Sequence, residues 1–165
     1  MECLADSDTL DGRVAVTLDS VPFFRTIAPE ARRDLSRRGR IREFPIGGTL
    51  MRQGDASETM YVILSGRVRV ERASEDLTAP QLLAEFGPDE VVGEVGVLDG
   101  GARTATVTAV TETRALELHR TALTVVLIEY PAVAAELLRI LSNRLRTADD
   151  LVDHILRDRS SGSGR

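Results

Sequence analysis

Between residues 40 and 118 the apolar residues fall into short runs separated by turn-forming residues: "IREF", "TLMRQ", "TMYVIL", "RVRVER", "QLLAEF", "ATVTAV" and "TRALEL". On both sides of this block the spacing becomes helical. Several short strand-like runs with such punctuation predict an all-β barrel or sandwich, because a parallel sheet would need a helix between successive strands. The segment "TMYVILSGRVRVER" is read as a hairpin. Met60, Val62 and Leu64 share one face, Val68 and Val70 alternate with Arg67, Arg69 and Glu71, and Ser65-Gly66 forms the turn. In "IGGTLMRQGD" glycines mark turns on either side of a short strand.

Helices flank this block. Phe24, Ile27, Ala31 and Leu35 recur at helical spacing, with Pro29 suited to a first helical position. After His119, "RTALTVVLIEYP" predicts a helix that stops before Pro131, since the residue preceding a proline resists helical geometry. A second helix is expected from Pro131 to about Arg157. The predicted organisation is a loose acidic tail over 1–17, one barrel domain with flanking helices over 18–130, a long helix over 131–157 and a flexible end over 158–165.

In the long helix Ala134, Leu138, Leu141, Leu145, Ala148, Val152 and Ile155 are spaced alternately four and three apart, the seam of a coiled coil. Leu137, Leu151 and Leu156 widen the stripe, as packing on the protein's own barrel would require. We expect a mixed role, with the first turns on the barrel and the remainder on a second copy, making a homodimer through residues 134–155.

Composition removes several function classes. The 165 residues suffice for one domain with a proper core, and the net charge of -5 speaks against a nucleic-acid surface. All 21 cationic residues are arginine, which reads as a genomic bias. The single cysteine, Cys3, permits no internal disulfide and suggests a reducing compartment. Neither a membrane-length apolar run nor a signal-peptide pattern is visible, so a cytoplasmic location without membrane contact is expected. His119 and His154 lack neighbours at metal-ligand spacing and are read as surface or helix-end residues, with no metal site expected. No nucleophile and base pair stands out, and no catalytic residue or enzyme activity is expected.

The stretch "VVGEVGVLDGGARTATVTAV", residues 91–110, places Glu94 and Arg103 on either side of eight residues that include three glycines. Val92-Gly93-Glu94-Val95-Gly96-Val97-Leu98 followed by Ala102-Arg103-Thr104-Ala105-Thr106 resembles the phosphate-binding cassette of the cyclic nucleotide-binding domain family. "RQGD", "YVILSGRVRV" and the flanking helices extend the resemblance over about residues 20–157. Val92 stands where the family usually has an aromatic residue, and Ala102 where it usually has proline. The resemblance implies an eight-stranded jelly-roll β-barrel, mainly β, with an N-terminal helical segment and a long C-terminal helix.

It also implies a site. A 3′,5′-cyclic nucleotide presents one anionic phosphodiester, a free 2′-hydroxyl and a flat base. Arg103 would grip the phosphate with its planar fork, helped by Thr104 and the backbone at Ala105. Glu94 would accept the ribose hydroxyl, with Gly93 admitting the close backbone and a short helix from Glu94 to Leu98 offering free amides. Val70, Leu83 and Phe86 would wall the base, and Leu141, Asn143 or Arg144 on the long helix would act as a lid. The implied ligand is cAMP in preference to cGMP, with no other cofactor, and occupancy would be passed through the C-terminal helix to a protein effector or to the dimer. The chain length leaves no place for a helix-turn-helix, so no nucleic-acid partner is expected. The alternative is a structural or interaction domain of the same fold that binds no nucleotide, in which Glu94 and Arg103 form a salt bridge with each other.

Overall fold

The computed structural model describes Arg25, residues 27–75 and residues 78–161, with side chains described as far as Asp150. The acidic stretch 1–17, Phe24 and the side chains of Val152, His154 and Ile155 lie outside the described residues. Helix α1 spans Pro29–Arg38, with Pro29 in its first turn and Gly39 closing it through an N–H to Leu35 carbonyl bond of 2.9 Å. Then come β1 (Arg40–Phe44), β2 (Thr49–Met51), β3 (Thr59–Ser65), β4 (Val68–Arg72), β5 (Gln81–Phe86) and β6 (Val91–Val92). Helix α2 (Glu94–Asp99) separates these from β7 (Thr106–Ala109) and β8 (Thr113–His119). Helices α3 (Arg120–Glu129) and α4 (Pro131–Ser161) follow, bent against each other by 113° about Tyr130.

The eight strands form two four-stranded antiparallel sheets, ordered β1-β8-β3-β6 and β2-β7-β4-β5. Two apolar cores follow from the alternation along β3. Met60, Val62 and Leu64 face outward into a cluster with Ile27, just before α1, and with Leu35, Leu123, Val126, Val133 and Leu137 from the helices. Tyr61 and Ile63 face inward, where they meet Met51, Val68, Val92 and Val107 between the sheets. Covering on both faces explains why β3 reads as an unbroken apolar run.

That burial also corrects the hairpin expected at "TMYVILSGRVRVER". β3 pairs with β8 and β6, whereas β4 pairs with β7 and β5, so Ser65-Gly66 carries the chain from one sheet to the other. Gly66 has φ +87°, and a Cβ there would stand 2.3 Å from the Glu112 carbonyl oxygen, so this crossing is confined to glycine. Arg67 is then held by the segment before β8, its carbonyl accepting from Val110 N–H at 2.8 Å and its own N–H donating to Thr111 Oγ1 at 2.9 Å.

Helix α4 continues four residues past the expected end at Arg157. Its core-facing stripe is Val133, Leu137 and Ile140, and so Leu137 belongs to the protein's own core and is no part of a seam. Leu138 and Leu145 are each 64% exposed, Ala134 and Leu141 are half-buried, and every residue from Leu145 to Asp150 is exposed. Among the described residues no single helix is long and apolar enough to cross a membrane.

Candidate functional site

The cassette is shaped by two left-handed glycines. Gly93 (φ 80°) precedes α2, and Gly100 (φ 80°) ends it, donating to the Gly96 carbonyl at 3.0 Å. A Cβ on Gly93 would lie 2.6 Å from Arg103 Nη1 and 2.7 Å from Met51 Cε, so the close approach of backbone to arginine depends on the missing side chain. From α2 the chain loops back to the turn of "RQGD". Gly54 N–H donates to the Arg103 carbonyl at 2.9 Å and Arg103 N–H to the Asp55 carbonyl at 2.8 Å, with Ala56 bridged to Ala102. Gln53 steadies this turn by bonding both backbone groups of Ala73 through its amide, at 3.0 and 2.8 Å.

Glu94 and Arg103 are both buried, at 3% and 7% exposure, yet they do not pair with each other. Arg103 donates from Nη1 to the Gly93 carbonyl at 3.0 Å, and from Nη2 to the carbonyl of Thr59 and to its Oγ1 at 3.1 Å. Those three bonds leave two of the five guanidinium N–H donors unused. Among the described residues Arg103 forms no ion pair. Burial pushes its pKa below the ordinary arginine value, with Tyr61, Asp55, Glu58 and Glu94 opposing that shift from a distance. A desolvated cation that has only neutral acceptors in contact is an incomplete electrostatic arrangement, and an anion arriving beside it would gain a charge-assisted hydrogen bond.

Glu94 is instead met by the long C-terminal helix. Arg144 of α4 places Nη1 2.5 Å from Glu94 Oε1, donates from Nη2 to the Val91 carbonyl, and stacks its guanidinium 4.4 Å from the centroid of the Phe86 ring. Glu94, Arg103, Thr104 and Ala105 share a cavity of about 260 Å³ with Gly93, Val70, Leu83 and Phe86, whose remaining walls include Met51, Ala84, Val92, Gly96 and Val107. Arg144 completes its lining. A groove of about 670 Å³ adjoins it, sharing Leu83, Ala84, Phe86 and Arg144 and continuing along Asn143, Thr147 and Ala148 of α4.

The phosphate, ribose and base residues expected from the sequence are therefore brought to one cavity. Of the lid candidates Arg144 lines this cavity and Asn143 the adjoining groove, while Leu141 lines neither. Sequence reasoning missed Met51 and Thr59, which shape Arg103, and gave no hint that Arg144 would hold Glu94. His119 sits at a helix end as expected, its ring accepting the Thr121 N–H as the cap of α3.

Comparison with known proteins agrees with this geometry. The profile of the cyclic nucleotide-binding domain family matches residues 41–130. A CRP-like cAMP-activated global transcriptional regulator of Mycobacterium tuberculosis is 35% identical over 137 residues, covering 82% of this chain and 61% of the regulator. The chain thus spans about three fifths of the length of that curated relative. Among solved structures, the Thermus thermophilus catabolite activator protein superposes with a TM-score of 0.73 at 34% identity, over 81% of this chain and 62% of that one. A cAMP-binding acyltransferase from Mycobacterium smegmatis gives the same TM-score, 0.73, at 31% identity, over 84% of this chain and 43% of the acyltransferase. With the cassette assembled around Glu94 and Arg103 and the family profile covering the barrel, this chain belongs to the cyclic nucleotide-binding domain family.

Proposed function

We propose that this chain is a sensor module that binds a 3′,5′-cyclic nucleotide, cAMP in preference to cGMP, and reports occupancy through α4. The observation that carries the reading is Arg103: a buried guanidinium with two spare donors and no counter-ion among the described residues, opening on an apolar cavity that also holds a carboxylate. The phosphodiester completes the charge of Arg103, with Thr104 and the Ala105 backbone beside it. The ribose hydroxyl donates to Glu94 next to Gly93, and the base lies along Val70, Leu83 and Phe86. The preference for cAMP is supported by relatives that are named for it. The acyltransferase is an enzyme, but this chain covers less than half of it, and no catalytic role is assigned here.

Output follows from Arg144. A ligand hydroxyl arriving at Glu94 meets a carboxylate already engaged by α4, so binding must either retain that pair as part of a closed lid or exchange it. An exchange makes the setting of α4 depend on occupancy, whereas a retained pair holds the helix closed over the ligand. The exposed Leu138 and Leu145 give this helix an apolar edge that its own barrel leaves uncovered, and a second copy of the chain meeting it along residues 134–155 turns the movement into a change of dimer geometry. A protein effector on the same edge is the other outlet.

The reading is tested by thermal melting with added cAMP, cGMP or the non-cyclic 5′-AMP. A melting temperature that rises with cyclic nucleotide and stays put with 5′-AMP supports it. An unchanged melting curve at millimolar cyclic nucleotide would leave the non-binding alternative.

A further inference from the structure

The ladder between β4 and β7 ends where the cassette begins. Its antiparallel register sets Val68 against Ala109, Arg69 against Thr108, Val70 against Val107 and Glu71 against Thr106. Carried two residues further, the same register would set Ala73 against Thr104. Val110 N–H donates to the Arg67 carbonyl, so Arg67, and with it every second residue along β4, directs its backbone groups toward β7. Ala73 belongs to that set, and both its N–H and its carbonyl face the place where Thr104 would pair.

Gln53 takes that place instead. Its Nε2 donates to the Ala73 carbonyl at 3.0 Å, and its Oε1 accepts the Ala73 N–H at 2.8 Å. One carboxamide thus supplies the donor and the acceptor that the backbone of a ladder residue would give. The same residue is fastened to the end of β7, its own N–H donating to Thr106 Oγ1 at 3.0 Å. Further along, Arg103 exchanges backbone bonds with Gly54 and Asp55 of the turn. Thr104 and Ala105 are left between these two pairings, and both line the cavity.

We propose that Gln53 is a positioning residue of the phosphate site: by filling the ladder position opposite Ala73, its carboxamide keeps Thr104 and Ala105 out of the sheet, with their backbone turned to an anion beside Arg103. This rests on the reading of the cavity as a nucleotide site. Gln53 does not line that cavity, so it acts through Thr104 and Ala105. It is exposed and belongs to neither apolar core, so a change of its side chain spares the packing of the barrel.

Isothermal titration of the full chain with cAMP tests this in the parent, in Gln53→Met, which keeps the length and loses both bonds, and in Gln53→Glu. An ionised glutamate accepts the Ala73 N–H but repels the carbonyl, whereas the protonated acid reproduces both bonds of the carboxamide. At about pH 7.5 both variants should bind about tenfold more weakly than the parent. As pH falls toward the ordinary glutamate value of about 4.3, the deficit of Gln53→Glu relative to the parent at the same pH should shrink, while that of Gln53→Met should not. Arg52 and Asp55 in the turn, Arg72 and Glu75 around Ala73, and Glu94 and Arg103 at the site are common to all three proteins, so the ratio to the parent removes their titration. A deficit in Gln53→Glu that does not change with pH, or parent-like affinity in Gln53→Met, would overturn the proposal. Amide hydrogen exchange without ligand gives an independent readout. Thr104 N–H should exchange about tenfold more slowly in Gln53→Met, because it then pairs with the Ala73 carbonyl, and an unchanged or faster rate would overturn the proposal. If Gln53→Met does not fold, Gln53→Glu at about pH 7.5 carries both measurements. A parent that binds no cyclic nucleotide would remove the nucleotide reading, and the Thr104 exchange rate would still decide whether Gln53 keeps this segment out of the sheet.

Discussion

Arg144 on α4 holds Glu94 on α2 across fifty positions of sequence, Nη1 to Oε1 at 2.5 Å, with the Glu94 side chain 4% exposed and the Arg144 side chain 28% exposed. The carboxylate assigned to the ligand's ribose is thereby also the anchor of the long helix. Removing one partner of such a pair leaves a buried charge unmatched. Arg144→Ala should destabilise the ligand-free protein by about 2 kcal/mol, below the figure for a wholly buried pair because the arginine is partly solvated. Glu94→Gln in the same background should recover part of that loss. Urea denaturation of the two single variants and the double variant measures the coupling, and strictly additive effects would show that the contact contributes nothing.

Gly93 gives a second, local test. Alanine there must take φ near 80° and place its Cβ 2.6 Å from Arg103 Nη1. Gly93→Ala should cost roughly 1 kcal/mol in stability from the left-handed backbone alone. Cyclic nucleotide binding should weaken by about tenfold or more, because Arg103 has to move away from the phosphate position. Chemical denaturation together with a binding titration separates the two effects, and unaltered affinity would contradict the placement of Arg103.

The apolar edge of α4 leads to a prediction about assembly. Leu145→Asp puts a charge on a residue that is 64% exposed in the single chain and that the proposed dimer along residues 134–155 would bury. The monomer should fold unchanged and the dimer should dissociate, as read by light scattering across a concentration series. A parent that stays monomeric with and without cAMP would remove the dimer from the proposed output.

One pH effect follows from α4. Glu136, 8% exposed, accepts from Arg139 Nε at 3.0 Å and Nη2 at 2.5 Å, and this pairing lowers its pKa below the usual glutamate value. The contribution to stability is therefore complete above the unfolded glutamate pKa, about 4.3, and is lost as pH falls through the lower folded value. Glu136→Gln should flatten the acid limb of a stability-against-pH curve below pH 5. An acid limb identical to that of the parent would show that the pair does not matter.

How far the sequence disclosed this arrangement depended on whether a residue's role was local. Seven of the strands were visible because each is a short run bounded by turn residues, whereas β6, Val91–Val92, is too short to carry a period. The false hairpin at Ser65-Gly66 arose because alternation on both sides of a glycine turn looks the same whether the strands pair or part into two sheets. In α4, both stripes have helical spacing, and only the docked position reveals that Val133 and Leu137 face the core while Leu138 and Leu145 face outward. The cassette was legible since Gly93, Glu94, Arg103, Thr104 and Ala105 lie within thirteen residues of one another. The grip of Arg144 on Glu94 was hidden because the contact joins segments distant in sequence, and a chain whose cations are all arginine does not single it out.

The most direct test is isothermal titration calorimetry of the chain, stripped of any carried nucleotide, with cAMP and then cGMP, set against Arg103→Ala. The expected result is saturable binding at micromolar or lower dissociation constant, tighter for cAMP, and weakened in Arg103→Ala by about 2–5 kcal/mol, the usual loss when a desolvated charge pair is broken. Equal binding by the substituted protein, or no heat from a parent shown by circular dichroism to be folded, would contradict the assignment of Arg103 to the phosphate.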